Sequence, residues 1–434
     1  MLTDDRPDYP MTCAVHAQFA GTIRREAFSE AFDEVLARHP LLTALVDRSH
    51  PGRPCWMPGA VRPGIQWRES EDVTGFGLTD RIDLEREAGL RFQVRQDSEK
   101  AFATMLFHHV CSDGIGAARF LEELLAAYHV RVEPDCRADV LPATDLSRLP
   151  LRGCVPRMGS FPARVSHQVR TLVREGHHWL CHPVTPLGFP AGACEPGAGT
   201  LSLGRLPACE FDEDFSARLR AASKQRGVTM NDAFLAAMFA TICEWNAGHP
   251  PAASTPWLRI AVPQNLREPA DRWMPAANKV TMCFLTRSQH SCENASDLLR
   301  GIGVEMSAAR YWLRGKSLLR AMRVAQAIPR LERRFREEDR CLATVVLSNL
   351  GDYDRWFCSS LPREGRHIRA GNVCLQRLTP AAPVRPQTHA AFCVASYGGV
   401  LRISMRPDPR VFTADKAEEL LALFASKVES AAEG

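Results

Sequence analysis

The stretch His108-His109-Val110-Cys111-Ser112-Asp113-Gly114 decides how this chain reads. An apolar run, Ala101–His108, leads into it and reads as a strand. An amphipathic segment leads out, from about Gly116 to Tyr128, with Phe120, Leu121, Leu124, Leu125 and Tyr128 on one face. The two histidines therefore stand at a strand-to-helix corner. Side chains alternate across a strand, so adjacent imidazoles point to opposite sides, and one can face a cavity while the other packs. Imidazole titrates near neutrality, which suits a general base acting on a hydroxyl or an amine. Asp113, four residues after His109, suits an ionic anchor for the loop, and Gly114 permits a sharp exit from it.

Outward from the corner, strands and helices alternate. Val15–Phe19 reads as a strand, and Arg25–Arg38 as a helix with apolar Ala27, Phe28, Ala31, Phe32, Val35 and Leu36 on one face. Leu90–Arg95 pairs with Ala101–His108 through the polar turn Gln96–Lys100. Residues from about 130 to 200 are rich in Pro, Gly and Arg and read as a crossover with one basic helix, Ala163–His177. Beyond them Thr229 and Asp232 form a variant capping box opening the helix Met230–Trp245, which is apolar almost all round and belongs in a core. Strands Trp257–Val262, Lys279–Thr286 and Ala343–Ser348 follow, then a hairpin through Tyr397-Gly398-Gly399 and a helix from near Thr413. The expected fold class is α/β (α+β): a first lobe over 1–150, a linker over 151–200 and a second lobe over 201–434, each lobe a mixed sheet flanked by helices.

Composition narrows the function classes. The chain has 434 residues, enough for two cores, and its 54 basic against 50 acidic residues leave a net charge of +4, too small and dispersed to argue for nucleic acid. No apolar run approaches the roughly 20 residues that cross a bilayer, and the opening MLTDDRPDYP lacks the basic flank of an export signal. The expectation is a cytoplasmic protein whose membrane contact is at most peripheral. Fifteen cysteines, scattered from Cys13 to Cys393 with no CxxC pair, read as reduced thiols rather than a disulfide frame or zinc site.

Together with the corner, several segments resemble a known superfamily. His108 to Gly114 matches the HHxxxDG motif of chloramphenicol acetyltransferase, nonribosomal-peptide condensation domains, wax ester/diacylglycerol acyltransferases and polyketide-associated acyltransferases. Arg38-His39-Pro40-Leu41-Leu42 resembles its RHPxL turn, and Gly227–Asp232 its GVTLND helix start. Val262-Pro263-Gln264-Asn265-Leu266-Arg267 resembles PVNLR, Asn278 falls where a GN usually follows, and Ser348-Asn349-Leu350-Gly351 looks like the SNxG turn. The order along the chain is the family's, so the resemblance covers most of it.

That resemblance implies two chloramphenicol acetyltransferase-like lobes with a tunnel between them, His109 as the catalytic base, and His108, Asp113 and Gly114 as structural. It implies transfer of an acyl group from a thioester to a hydroxyl or amine without an acyl-enzyme. Acyl-CoA or an acyl or peptidyl carrier protein's phosphopantetheine would be the co-substrate, with no permanently bound cofactor and no metal. Ser348, Asn349 and Asn265 are the expected oxyanion or tunnel-lining residues. The family's frequent Arg after the RHPxL turn is Thr43 here, so Asp113 needs another ionic partner; Arg267 is one candidate, and the sequence does not choose among the alternatives. Two other readings stand beside this one: a free-standing condensation-like enzyme, and a catalytically idle module that docks carrier proteins. A monomer is the default, since two lobes already supply an inter-subunit type of interface. His178 and His182, four apart, read as part of a solvated basic face rather than a metal pair, as do Arg164, Arg170 and Arg174. Cys111 and Ser112 read as fillers of variable motif positions.

Overall fold

The structure, a computed structural model, describes residues 2, 4–50, 54–59, 62–69, 81–135, 143–153, 182–189, 206–251, 254–312, 340–357 and 360–433. Most of the 151–200 linker, including Ala163–His177, His178 and the three linker arginines, lies outside the described residues.

Two mixed sheets carry the fold. The first has seven strands in the order Arg363–Glu364, His367–Ala370, Val373–Ala381, Thr12–Ala20, Lys100–His108, Leu90–Gln96 and Ile65–Glu69. Thr12–Ala20 lies at its middle, antiparallel to both neighbours, with Thr12 opposite His108 and Ala20 opposite Lys100. The second has six strands in the order Ala208–Phe211, Val400–Pro407, Ala390–Tyr397, Val345–Asp352, Trp257–Asn265 and Val280–Ser288. Val345–Asp352 runs parallel to both of its neighbours. The expected α/β class with a sheet in each lobe is the observed one.

The first core forms where Arg25–Leu36 and Gly114–Val132 cover the first sheet. Phe32 meets Phe92 at 5.2 Å and Phe120 at 5.8 Å between ring centroids, and Phe28 meets Tyr128 at 5.3 Å. Such aromatic clusters bury large area and lock helix against strand. In the second lobe the helix Met230–Gly248 packs against helices Ala295–Trp312 and Ala414–Glu433, which explains its apolar circumference. Its start is the capping box read from the sequence: Thr229 Oγ1 accepts from Asp232 N, and Asp232 Oδ2 accepts from Thr229 N at 2.9 Å.

A chain division at 201 does not follow the hydrogen bonding. Strands between Arg363 and Ala381, late in the chain, pair into the first sheet beside Thr12–Ala20. The chain then turns back, and Ala390–Tyr397 joins the second sheet. This crossing stitches the sheets together: Ser404 Oγ donates to Pro380 O at 2.6 Å, and Arg406 Nη1 donates to Thr12 O at 2.8 Å. The hairpin after Tyr397 closes through Gly398 and Gly399, both at positive φ (59° and 88°), as a tight two-residue turn requires.

Thr229→Ala removes the cap of the second lobe's central helix. It is expected to cost about 1 kcal/mol of stability in chemical denaturation, and an unchanged midpoint would show that the cap is energetically idle.

Candidate active site at the strand-to-helix corner

The corner is built from both ends of the chain. His108 is fully buried. Val110 N donates to its Nδ1 at 3.2 Å, so the ring proton sits on Nε2, which faces Asp5 Oδ1 at 3.4 Å. Burial alone would raise the Asp5 carboxyl, but the hydrogen bonds from His108 and from Met11 N hold it below the usual range. The next backbone N–H, that of His109, donates to Met11 O at 2.7 Å. The segment before the first strand thus clamps the corner, a contribution that no motif marks.

His109, next to His108, is only partly buried as a residue. Its Nδ1 lies 3.0 Å from Ser112 O. A carbonyl oxygen can only accept, so the assignment that satisfies it puts the proton on Nδ1 and leaves the Nε2 lone pair free. Asn278 Nδ2 is 3.2 Å from Nδ1 but closer to His109 O, to which it donates. Asn278 thus fixes the His109 backbone while the Ser112 carbonyl fixes the tautomer. The surrounding protein desolvates the ring and lowers its pKa, with the Ser112 hydrogen bond and the Asp113 charge opposing this. The neutral imidazole is the form favoured at pH 7.

Asp113 is 2 % exposed and has every lone pair engaged. Its Oδ1 accepts from Gly116 N at 2.8 Å, capping the Gly114–Val132 helix, and from Arg267 Nη2 at 2.9 Å. Its Oδ2 accepts from Arg267 Nη1 at 2.7 Å and from Lys279 N at 2.8 Å. Burial alone would raise this carboxyl; the Arg267 charge and hydrogen bonds, with the two backbone N–H groups, lower it instead. Arg267 Nη2 also donates to Ala277 O at 2.8 Å, and Asn265 Oδ1 accepts from Arg267 N at 3.0 Å. Asn265 is exposed, and its side-chain oxygen is spent on the Arg267 turn. Thr43 Oγ1 donates to Pro40 O and does not approach the role of the missing arginine.

Other segments converge on the same loop. His39 Nδ1 accepts from Ala276 N at 2.8 Å, joining the 38–42 turn to the 276–279 loop of the second lobe. Gly116 is needed because a Cβ there would lie 2.5 Å from Ser112 Oγ and 2.9 Å from Ala277 N. Gly114 does not use a left-handed backbone, contrary to the sharp exit expected of it; a Cβ there would lie 2.7 Å from Leu350 Cδ2. That contact seats the 348–351 turn against the start of the helix. In the turn Asn349 Nδ2 donates to Asn231 Oδ1 at 3.1 Å and its Oδ1 accepts from Gly351 N, while Ser348 is largely buried. Cys111 is fully buried and its thiol is pushed up by burial. Ser112 Oγ donates to Asp113 O at 3.0 Å. His182 lies edge-on to Trp257, with ring centroids 4.1 Å apart. Among the described residues no group of three or more His, Cys, Asp or Glu is placed to hold a metal ion, and no helix is long and apolar enough to cross a membrane.

No protein-family model matches the chain. Two uncharacterized proteins of Mycobacterium tuberculosis, Rv2305 and MT2362, are each 28% identical to it over 98% of this chain and 95% of theirs. Among solved structures, the first condensation domain of the calcium-dependent antibiotic synthetase superposes with a TM-score of 0.68 at 14% identity, covering 98% of this chain and 91% of that one. The starter condensation domain of rhizomide synthetase, solved with C8-CoA and Leu-SNAC, superposes with a TM-score of 0.67 at 13% identity, covering 100% and 91%. The fold is therefore the two-lobed condensation-domain fold that the motif order led us to expect.

Arg267→Ala leaves a buried carboxylate without its counter-charge and is expected to cost about 3–5 kcal/mol. Because the folded-state pKa of Asp113 is depressed, the stability it contributes is present above its unfolded value of about 4 and is lost as pH falls through the folded value. Denaturation of the wild type and of Arg267→Ala should therefore differ most near neutrality and converge in acid. A constant difference across pH would show that the lost stability is not electrostatic.

Proposed function

We propose that this chain is an acyltransferase, moving an acyl group from a thioester, either acyl-CoA or a carrier-bound phosphopantetheine, to a hydroxyl or amine. The observation that carries the reading is the His109 ring: Nδ1 is committed to Ser112 O, which leaves Nε2 its lone pair, on a residue that is only partly buried. In this mechanism Nε2 takes the acceptor's O–H or N–H proton as the nucleophile adds to the thioester carbonyl. The tetrahedral intermediate then collapses, the C–S bond breaks, and the departing thiolate receives the proton back from Nε2. Holding donor and acceptor together at the ring supplies proximity.

Direct transfer without an acyl-enzyme fits the neighbours of His109. Cys111 is sealed from solvent with its thiol held protonated, and the Ser112 hydroxyl is buried and donating to a carbonyl. Neither can act as a nucleophile without rebuilding the corner. For the oxyanion, Ser348 and the backbone amides of the 348–351 turn are the proposed donors, because Leu350 brings that turn against Gly114. Asn265, whose Oδ1 accepts from Arg267, keeps its Nδ2 amide as a further candidate donor.

Thiol release from acyl-CoA thioesters, followed with a panel of alcohols and amines, tests the reading. His109→Ala is expected to fold and to lose roughly 10²–10⁴-fold in turnover; full activity in that variant would leave the idle docking module as the better account. In the wild type, kcat/KM should fall in acid with an apparent pKa below the ~6.5 of a free imidazole, because burial lowers that of His109 and only the neutral ring is a base. A midpoint above ~6.5 would contradict this assignment.

A further inference from the structure

Far from the corner, the seam between the two sheets opens into a groove of about 440 Å³. Its walls come from both sheets: Lys100 and Arg377 from the first, Glu210 and Arg402 from the second, with Leu378 and Tyr397 adding apolar surface. It lies at the Ala20–Lys100 end of the central strands, whereas His109 follows the Thr12–His108 end. Eight residue steps at ~3.3 Å separate those ends by roughly 26 Å, so the groove is distinct from the proposed active site.

Its charge is unbalanced. Three permanent cations face one carboxylate. Glu210 Oε1 and Oε2 accept from Arg377 Nε at 2.7 Å and Nη2 at 3.0 Å, and Arg402 Nη2 donates to the same Oε1. Arg377 Nη1 donates to Gln18 Oε1 at 3.0 Å. Lys100 is exposed at the end of the 97–100 turn and forms no salt bridge among the described residues. Glu210 therefore occupies part of what two guanidiniums offer an oxyanion, and the Lys100 ammonium is left over. A groove of this volume is of small-ligand size.

We propose that this groove binds a small organic phosphate, its anionic head held by Lys100, Arg377 and Arg402 and its apolar body against Tyr397 and Leu378. A phosphate suits the forked guanidiniums and supplies the second negative charge that a carboxylate lacks. Glu210 is then a competitor for the same donors, which gives the site a sign that a purely structural ion pair lacks. The proposal holds whether or not His109 is catalytic, since it rests on none of the corner's residues.

Isothermal titration of the full chain with phenyl phosphate, and with inorganic phosphate for comparison, tests it. Phenyl phosphate should bind with a Kd of ~1 mM or tighter and more tightly than inorganic phosphate. Lys100→Ala should weaken binding by about fivefold. Glu210→Gln should strengthen it by about fivefold, because the competing carboxylate is gone. Circular dichroism confirms that both variants fold. Absence of binding heat in the wild type at roughly ten times that concentration overturns the proposal without reference to any variant. So does an affinity that neither substitution moves, or one that Glu210→Gln lowers.

Discussion

The carboxylate of Asp113 and the guanidinium of Arg267 meet inside the protein, and the rest of the corner is arranged around that meeting. A carboxylate with 2 % exposure is costly unless each of its lone pairs finds a donor. Asp113 finds four, and they come from different places: two from Arg267, one from the N–H of Lys279, one from Gly116 at the start of its own helix. Satisfying one buried charge thus fixes three things at once. The helix Gly114–Val132 begins where it does, the 265–279 segment of the second lobe is pulled against the first, and the turn carrying His109 is held from behind.

The same loop that answers Asp113 also reaches His109. Asn278 donates to the His109 carbonyl, Ala277 accepts from both Asp113 N and Arg267, and Ala276 N donates to His39. Residues 276–279 of the second lobe therefore hold the ionic anchor, the His109 backbone and the 38–42 turn of the first. The tautomer of His109 is a consequence rather than an independent feature. Once the turn is set, Ser112 O lies against Nδ1, and the other nitrogen is the one left to accept a proton. Desolvation of the ring by the closed corner then favours the neutral state over the charged one.

At the opposite end of the central strands the chemistry is reversed. The corner satisfies a buried charge completely, while the groove over Arg377, Arg402 and Lys100 leaves positive charge in excess of Glu210. Both arise from one topological fact, that strands 363–381 belong by pairing to the first sheet and by chain order to the second. The return from Ala381 to Ala390 draws the two sheets together along a seam, and side chains of both line it.

Much of this was legible in the sequence. The strand, corner and helix around His108–Gly114, the Thr229–Asp232 cap, the Gly398–Gly399 turn and the mixed α/β class are local matters, written in alternation, helical spacing and turn chemistry that act over a few residues. The order of the motif-like segments carried the two-lobed fold and put His109 forward, with Arg267 as one candidate partner for Asp113 and no means of choosing it. What it could not carry is which distant groups meet. That Asp5 backs His108, that Asn278 donates to the His109 carbonyl, that Gly114 is small because of Leu350, and that Val373–Ala381 pairs with Thr12–Ala20 all depend on contacts between residues dozens to hundreds apart. Sequence alone determined which elements form, because local propensity and periodicity are short-range. Only the tertiary structure decided their partners, because a buried polar group accepts whichever donor the packing of the two lobes brings within reach.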